Sequence, residues 1–111
     1  MDIKEYSGWL QASISSENRE KLETLARKTG LSVDIAEKYI EFEYQGRDTN
    51  RFVVRFLVKA AEFIGDAEGE IRCEIDSGSI DPEFEFYRFR EGKLICQTGK
   101  IVRDIEIVVT L

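Results

Sequence analysis

Two hydrophobic periods divide this chain, and their order restricts the folds open to it. Over Asn50 to Ile64, Phe52, Val53, Phe56, Leu57, Ala60, Phe63 and Ile64 recur at the three-and-four spacing of an amphipathic helix. Gly65 supplies a stop. From Gly69 the spacing becomes two: Ile71, Cys73 and Ile75 alternate with Glu70, Arg72, Glu74 and Asp76, the pattern of a strand with one buried side.

The flanking segments fit the same scheme. Tyr6 to Ile14 alternates, with Leu10, Ala12 and Ile14 on one side, and predicts a first strand. Ser15 and Ser16 offer side-chain oxygens to the start of a helix over Glu17 to Lys28, whose narrow apolar face holds Leu22, Leu25 and Ala26. Glu17 and Glu20 at its start and Arg27 and Lys28 at its end complement the helix dipole, and Gly30 ends it. Leu31 to Ile35 reads as a connection. Glu37 to Gln45 is a strand with Ile40, Phe42 and Tyr44 on one face and Tyr39, Glu41 and Glu43 on the other. Asp48 or Thr49 can cap the helix that follows.

Beyond Asp76, Ser77 to Pro82 reads as a turn or short loop. Phe84 to Phe89 is a strand whose apolar residues change phase between Phe86 and Tyr87, which predicts either a bulge or burial on both sides. Glu91-Gly92 makes a tight hairpin, Lys93 to Thr98 a strand, and Gly99-Lys100 another turn. Ile105, Ile107, Val109 and Leu111 alternate in the last strand. The order β-α-β-α-β-β-β-β predicts a single α+β domain over residues 1–111. It has a mostly antiparallel sheet and two helices packed on one face. A chain of 111 residues is long enough to fold on one core without staples.

The net charge is −6, and all of the excess lies in Asp66 to Glu91, which holds nine acidic and three basic residues. By strand phase, Glu41 and Glu43, Glu70 and Glu74, and Glu83 and Glu85 project from the non-core side of three strands, with Tyr39 and Tyr87 between them. If these strands are neighbours, the open sheet face is acidic. Solvation alone accounts for such a face. A docking surface for a basic protein partner accounts for it too, because a focused negative field speeds association with a cation. Arg51, Arg55 and Lys59 give the outer side of the second helix the opposite sign. The overall acidity argues against binding nucleic acid, which selects for clustered Lys and Arg.

Several chemistries are excluded by composition. The chain has no histidine, which removes histidine-dependent triads and histidine-rich zinc sites. It has no Gly-rich phosphate loop and no nucleophile elbow. Cys73 and Cys96 are widely separated, each within an alternating strand, and read as buried hydrophobes. The stretch Gly65 to Glu70 spaces three carboxylates two apart like the start of a calcium loop, but its glycine is misplaced and Ser77 stands where the closing glutamate belongs. No metal or cofactor is therefore expected. Met1 to Gln11 carries Asp2, Lys4 and Glu5 and no continuous apolar stretch, and no segment is apolar over a bilayer's width. The expectation is a cytoplasmic protein without a membrane span. Tyr6, Trp9, Tyr39 and Tyr87 are the candidate exposed aromatic anchors.

In size, acidity and lack of catalytic motifs, the chain is similar to the small acidic immunity and antitoxin proteins of bacteria. These are one-domain α/β folds that neutralise basic nuclease toxins by covering them. The resemblance implies a non-enzymatic protein-binding domain and assigns no individual residue. The alternatives are a small enzyme or ligand-binding domain using carboxylates in a cleft, and a homo-oligomer built on a sheet edge or face.

Overall fold

The computed structural model describes residues 3–76, 83–99 and 106–110. The turn expected over Ser77 to Pro82, the turn at Lys100, and Ile105 and Leu111 of the last strand lie outside these residues. Seven strands form one antiparallel sheet: β1 (Ile3–Gln11), β2 (Val33–Ile35), β3 (Tyr39–Gly46), β4 (Glu68–Asp76), β5 (Glu83–Arg90), β6 (Lys93–Gly99) and β7 (Ile107–Val109). Their spatial order is β2-β3-β1-β4-β5-β6-β7. Two helices, α1 (Ser16–Thr29) and α2 (Phe52–Ile64), connect β1 to β2 and β3 to β4. Each connection skips a strand, giving two interlocked split β-α-β units. A hairpin meander, β5 to β7, extends the sheet on one side. The α+β fold with helices packed on an antiparallel sheet is thus as expected. Two short elements were not anticipated: β2, in the segment taken for a connection, and a 3-10 turn over Thr49–Arg51.

The helix signals act as their chemistry dictates. Ser15 Oγ accepts the Asn18 N–H at 3.2 Å, and Gly30 takes the left-handed conformation at φ 74° that closes α1. The start of α2 has a different device. Asp48, five residues back, accepts the Val53 N–H at 2.9 Å through Oδ1 and the Tyr6 hydroxyl at 2.8 Å through Oδ2. Its side chain is 1% exposed, and the Lys4 ammonium stands 3.9 Å away. One buried carboxylate therefore joins strand β1, inside the sheet, to the start of the main helix.

The core lies between the helices and one face of the sheet. Tyr6 and Leu10 of β1, Ile40 and Phe42 of β3, Ile71 and Cys73 of β4, Tyr87 and Phe89 of β5, and Leu94 of β6 are buried there. From α2, Val53, Val54, Phe56, Leu57, Ala60 and Ala61 are buried, a wider face than the sheet alone requires, because α1 packs on its flank. Asn18 of α1 donates to the Phe63 carbonyl at 2.9 Å and joins the two helices end to end.

Strand β5 settles the phase question raised by its sequence. Its register runs without interruption against β4 and β6, so it contains no bulge. It is apolar on both faces, with Tyr87 and Phe89 toward the helices and Phe84 and Phe86 away from them. No helix among the described residues is long and apolar enough to cross a membrane.

Candidate functional site

Period two sends alternate residues of each strand away from the helices, and the register sets them side by side. On this open face lie Asp34 of β2; Tyr39, Glu41 and Glu43 of β3; Glu5 and Trp9 of β1; and Glu70, Glu74 and Asp76 of β4. Five expected site residues, Tyr39, Glu41, Glu43, Glu70 and Glu74, therefore do share one surface.

Trp9 is its centre. The indole is 50% exposed and stacks on Tyr39, with ring centroids 6.1 Å apart and planes inclined by 27°. The strand positions directly beside it are Glu41 on β3 and Glu70 on β4. The Tyr39 hydroxyl donates to Asp34 at 3.3 Å, and the Asp34 charge raises the phenol's pKa.

The backbone around Trp9 is built on glycine. A Cβ on Gly8 would lie 2.6 Å from the Glu70 carbonyl oxygen and from Ile71 Cα. One on Gly69 would lie 2.6 Å from the Trp9 carbonyl oxygen, at a φ of +97°. Strands β1 and β4 thus approach each other at Trp9 more closely than side chains would allow.

Much of the charge on this half of the face has no cation paired with it among the described residues. Glu5 and Glu74 are direct cross-strand neighbours, an arrangement that destabilises a sheet. Glu5, Glu41, Glu43 and Glu74 have no ion-pair partner among the described residues. The other half differs. Phe84 and Phe86 stack at 6.1 Å, and the Arg72 guanidinium lies over Phe84 at 5.8 Å. Arg88 pairs with Glu70 at 3.2 Å and Arg90 with Glu106 at 2.8 Å. The open face is therefore acidic across β2-β3-β1-β4 and aromatic and basic across β5 and β6.

Three expected site residues are elsewhere. Glu83, Glu85 and Tyr87 belong to the helix-side phase of β5, opposite Ile75, Cys73 and Ile71. Because β5 is apolar on both faces, Phe84 and Phe86 imitate a core phase, and the true one begins with Glu83 and Glu85. Tyr87 is 0% exposed and cannot serve as a surface anchor. Burial, then the Glu85 charge, raises its pKa; the Tyr87 hydroxyl and Glu85 Oε1 are both shut off from solvent, and neither completes a hydrogen bond. Of the other aromatic candidates, Tyr6 is buried, and burial raises its pKa as well.

The cysteines are buried and free, as expected. Burial and the nearby Glu85 push the Cys73 thiol up to about 12, and the same two causes raise Cys96. Thiols held protonated are poor nucleophiles. The acidic stretch after α2 does not converge. Asp66 accepts the Glu91 N–H at 2.8 Å and secures the β5–β6 hairpin, while Glu70 faces Arg88. Among the described residues no three His, Cys, Asp or Glu side chains are placed to hold a metal ion. Comparison with known proteins returned no match: no family model fits the chain, and no curated protein or solved structure is significantly similar to it.

Proposed function

We propose that the chain is a protein-binding domain that docks a basic protein segment on the acidic half of its open face. The observation that carries this reading is the half-exposed Trp9, stacked on Tyr39 beside Glu41, on a face where Glu5, Glu41, Glu43 and Glu74 have no ion-pair partner among the described residues. Where interfaces form, Trp and Tyr are enriched among the central residues that carry most of the binding energy. Carboxylates around Trp9 select a cationic partner and steer it in. Arginine suits both parts, since its guanidinium stacks on an indole and pairs with a carboxylate. Cross-strand repulsion between Glu5 and Glu74 is relieved when such a partner is bound. An immunity- or antitoxin-like role, with a basic toxin as partner, is the biological form this reading takes.

The test is calorimetric titration with an arginine-rich peptide across a salt series. Wild type should bind with an affinity that falls as salt rises. Trp9→Ala should weaken binding by about tenfold or more, the loss expected for a central interface residue. Reversing Glu41, Glu43 and Glu74 to lysine should abolish binding, while reversing Arg51, Arg55 and Lys59 should not weaken it. Equal affinity for wild type and Trp9→Ala would reduce the face to general charge attraction and sink the proposal.

A further inference from the structure

Strand β7 closes the sheet order at one side, so its outer backbone edge pairs with no described strand. Its side chains are apolar on both faces, with Ile107 57% and Val108 46% exposed. The helix layer stops short of it: α2 lies over β5 and β6. Native edges are normally blunted by shortness, charge, proline or a bulge; Ile107–Val109 is short, at three residues, but carries no charge, proline or bulge. Val109 packs against the core, as Val33 and Ile35 of β2 do at the opposite edge, but the middle residue of β2 is the charged Asp34 where β7 has the exposed Val108.

We propose that β7 is a self-association edge, and that two copies of this chain pair their β7 strands antiparallel about Val108. The electrostatics favour a second copy at this place. The described residues 93–99 and 106–110 carry one basic side chain, Lys93, and one acidic, Glu106, and so are neutral, whereas residues 1–92 carry −7. Two strongly acidic molecules repel each other least where they meet at β7. The register is self-complementary as well. Pairing about Val108 sets Ile107 opposite Val109 of the other copy and Glu106 opposite Thr110, so no like charges face each other. Glu106 is already held by Arg90. The twofold axis makes the contact isologous and closed, which yields a dimer rather than a filament. Each open face remains uncovered, and the two sheets become one.

The experiment is sedimentation equilibrium of the purified chain from about 10 μM to about 1 mM. Wild type should shift from the 12.8 kDa monomer toward twice that mass as concentration rises. Val108→Lys and Val108→Glu each place identical charges on the twofold axis and should stay monomeric. An equimolar mixture of the two should regain the dimer, because the charges on the axis are then opposite. Amide exchange of wild type over residues 107–110 should slow as concentration rises, a readout that needs no variant. A wild type that stays monomeric, single variants that dimerise as wild type does, a folded mixture that fails to pair, or exchange independent of concentration would each overturn the proposal. None of these outcomes depends on the basic peptide.

Discussion

Aromatic rings on the two faces of the sheet have opposite neighbours. On the covered face rings meet rings: Tyr6 lies 6.2 to 6.4 Å from Phe42, Tyr44 and Tyr87, and Phe42 stacks on Phe56 of α2 at 5.9 Å. On the open face rings come in pairs among charges, Trp9 with Tyr39 between carboxylates and Phe84 with Phe86 beneath Arg72. The same residue type therefore contributes differently on the two sides. A covered ring contributes through dispersion and the removal of apolar surface from water. An open ring gives up part of that contribution and keeps a flat surface for another molecule.

The largest test of this contrast is Phe56→Ala. Phe56 is buried against Phe42, so the change should cost about 3–5 kcal/mol in denaturant melts, the usual range for a deleted core ring. A loss as small as that of a surface change would erase the distinction between the faces.

The second test uses alkali. A thiol's ordinary pKa near 9 rises to about 12 in folded Cys73. Below 9 the thiol is protonated in both folded and unfolded chains, and its contribution is fully present. Above 9 the unfolded chain loses the proton first, so stability should fall as pH rises from about 9 to 12. Cys96, Tyr6 and Tyr87 shift in the same direction and extend the loss. Urea melts at a series of alkaline pH values should show this decline, and Cys73→Ala should flatten it. An unchanged slope in that variant would remove Cys73 from the account.

The smallest effect belongs to the open face. Glu74→Lys replaces a repulsive cross-strand pair with an attractive one beside Glu5. Stability should rise, by no more than about 0.5 kcal/mol at a pair of which Glu5 is exposed and Glu74 half-buried. A loss above 1 kcal/mol would mean that Glu74 has a structural role and that the open face is not free of one.

How much of this was legible in the sequence depended on whether period alone decided the matter. Strand β3 was readable because Ile40, Phe42 and Tyr44 alternate with charged or exposed neighbours. Strand β5 was not, since aromatic residues at 84, 86, 87 and 89 satisfy both phases, and only the register against β4 chooses between them. That ambiguity misplaced Glu83, Glu85 and Tyr87. The charge run from Asp66 to Glu91 was visible but is not the patch in space. Glu70, Glu74 and Asp76 join Glu5, Asp34, Glu41 and Glu43 from earlier strands, while Asp66 is used in a turn. The stacking of Trp9 on Tyr39 depends on β1 lying beside β3, and a single sequence carries no direct signal of strand order.

The position of β1 also bears on how the chain reaches this state. Tyr6 must meet Tyr44 on one side and Cys73 on the other, and both partners lie far along the chain. The hairpin β5–β6, by contrast, closes through Glu91 and Gly92 with local contacts alone. Loop-closure entropy makes distant pairings slow, so the meander has the kinetic advantage and the middle of the sheet is the last part to close. During synthesis β1 can pair with β3 first, but its other edge stays open until β4 has left the ribosome. The strand that carries the candidate anchor Trp9 thus keeps one edge open to misassembly while α2 and β4 are still being made.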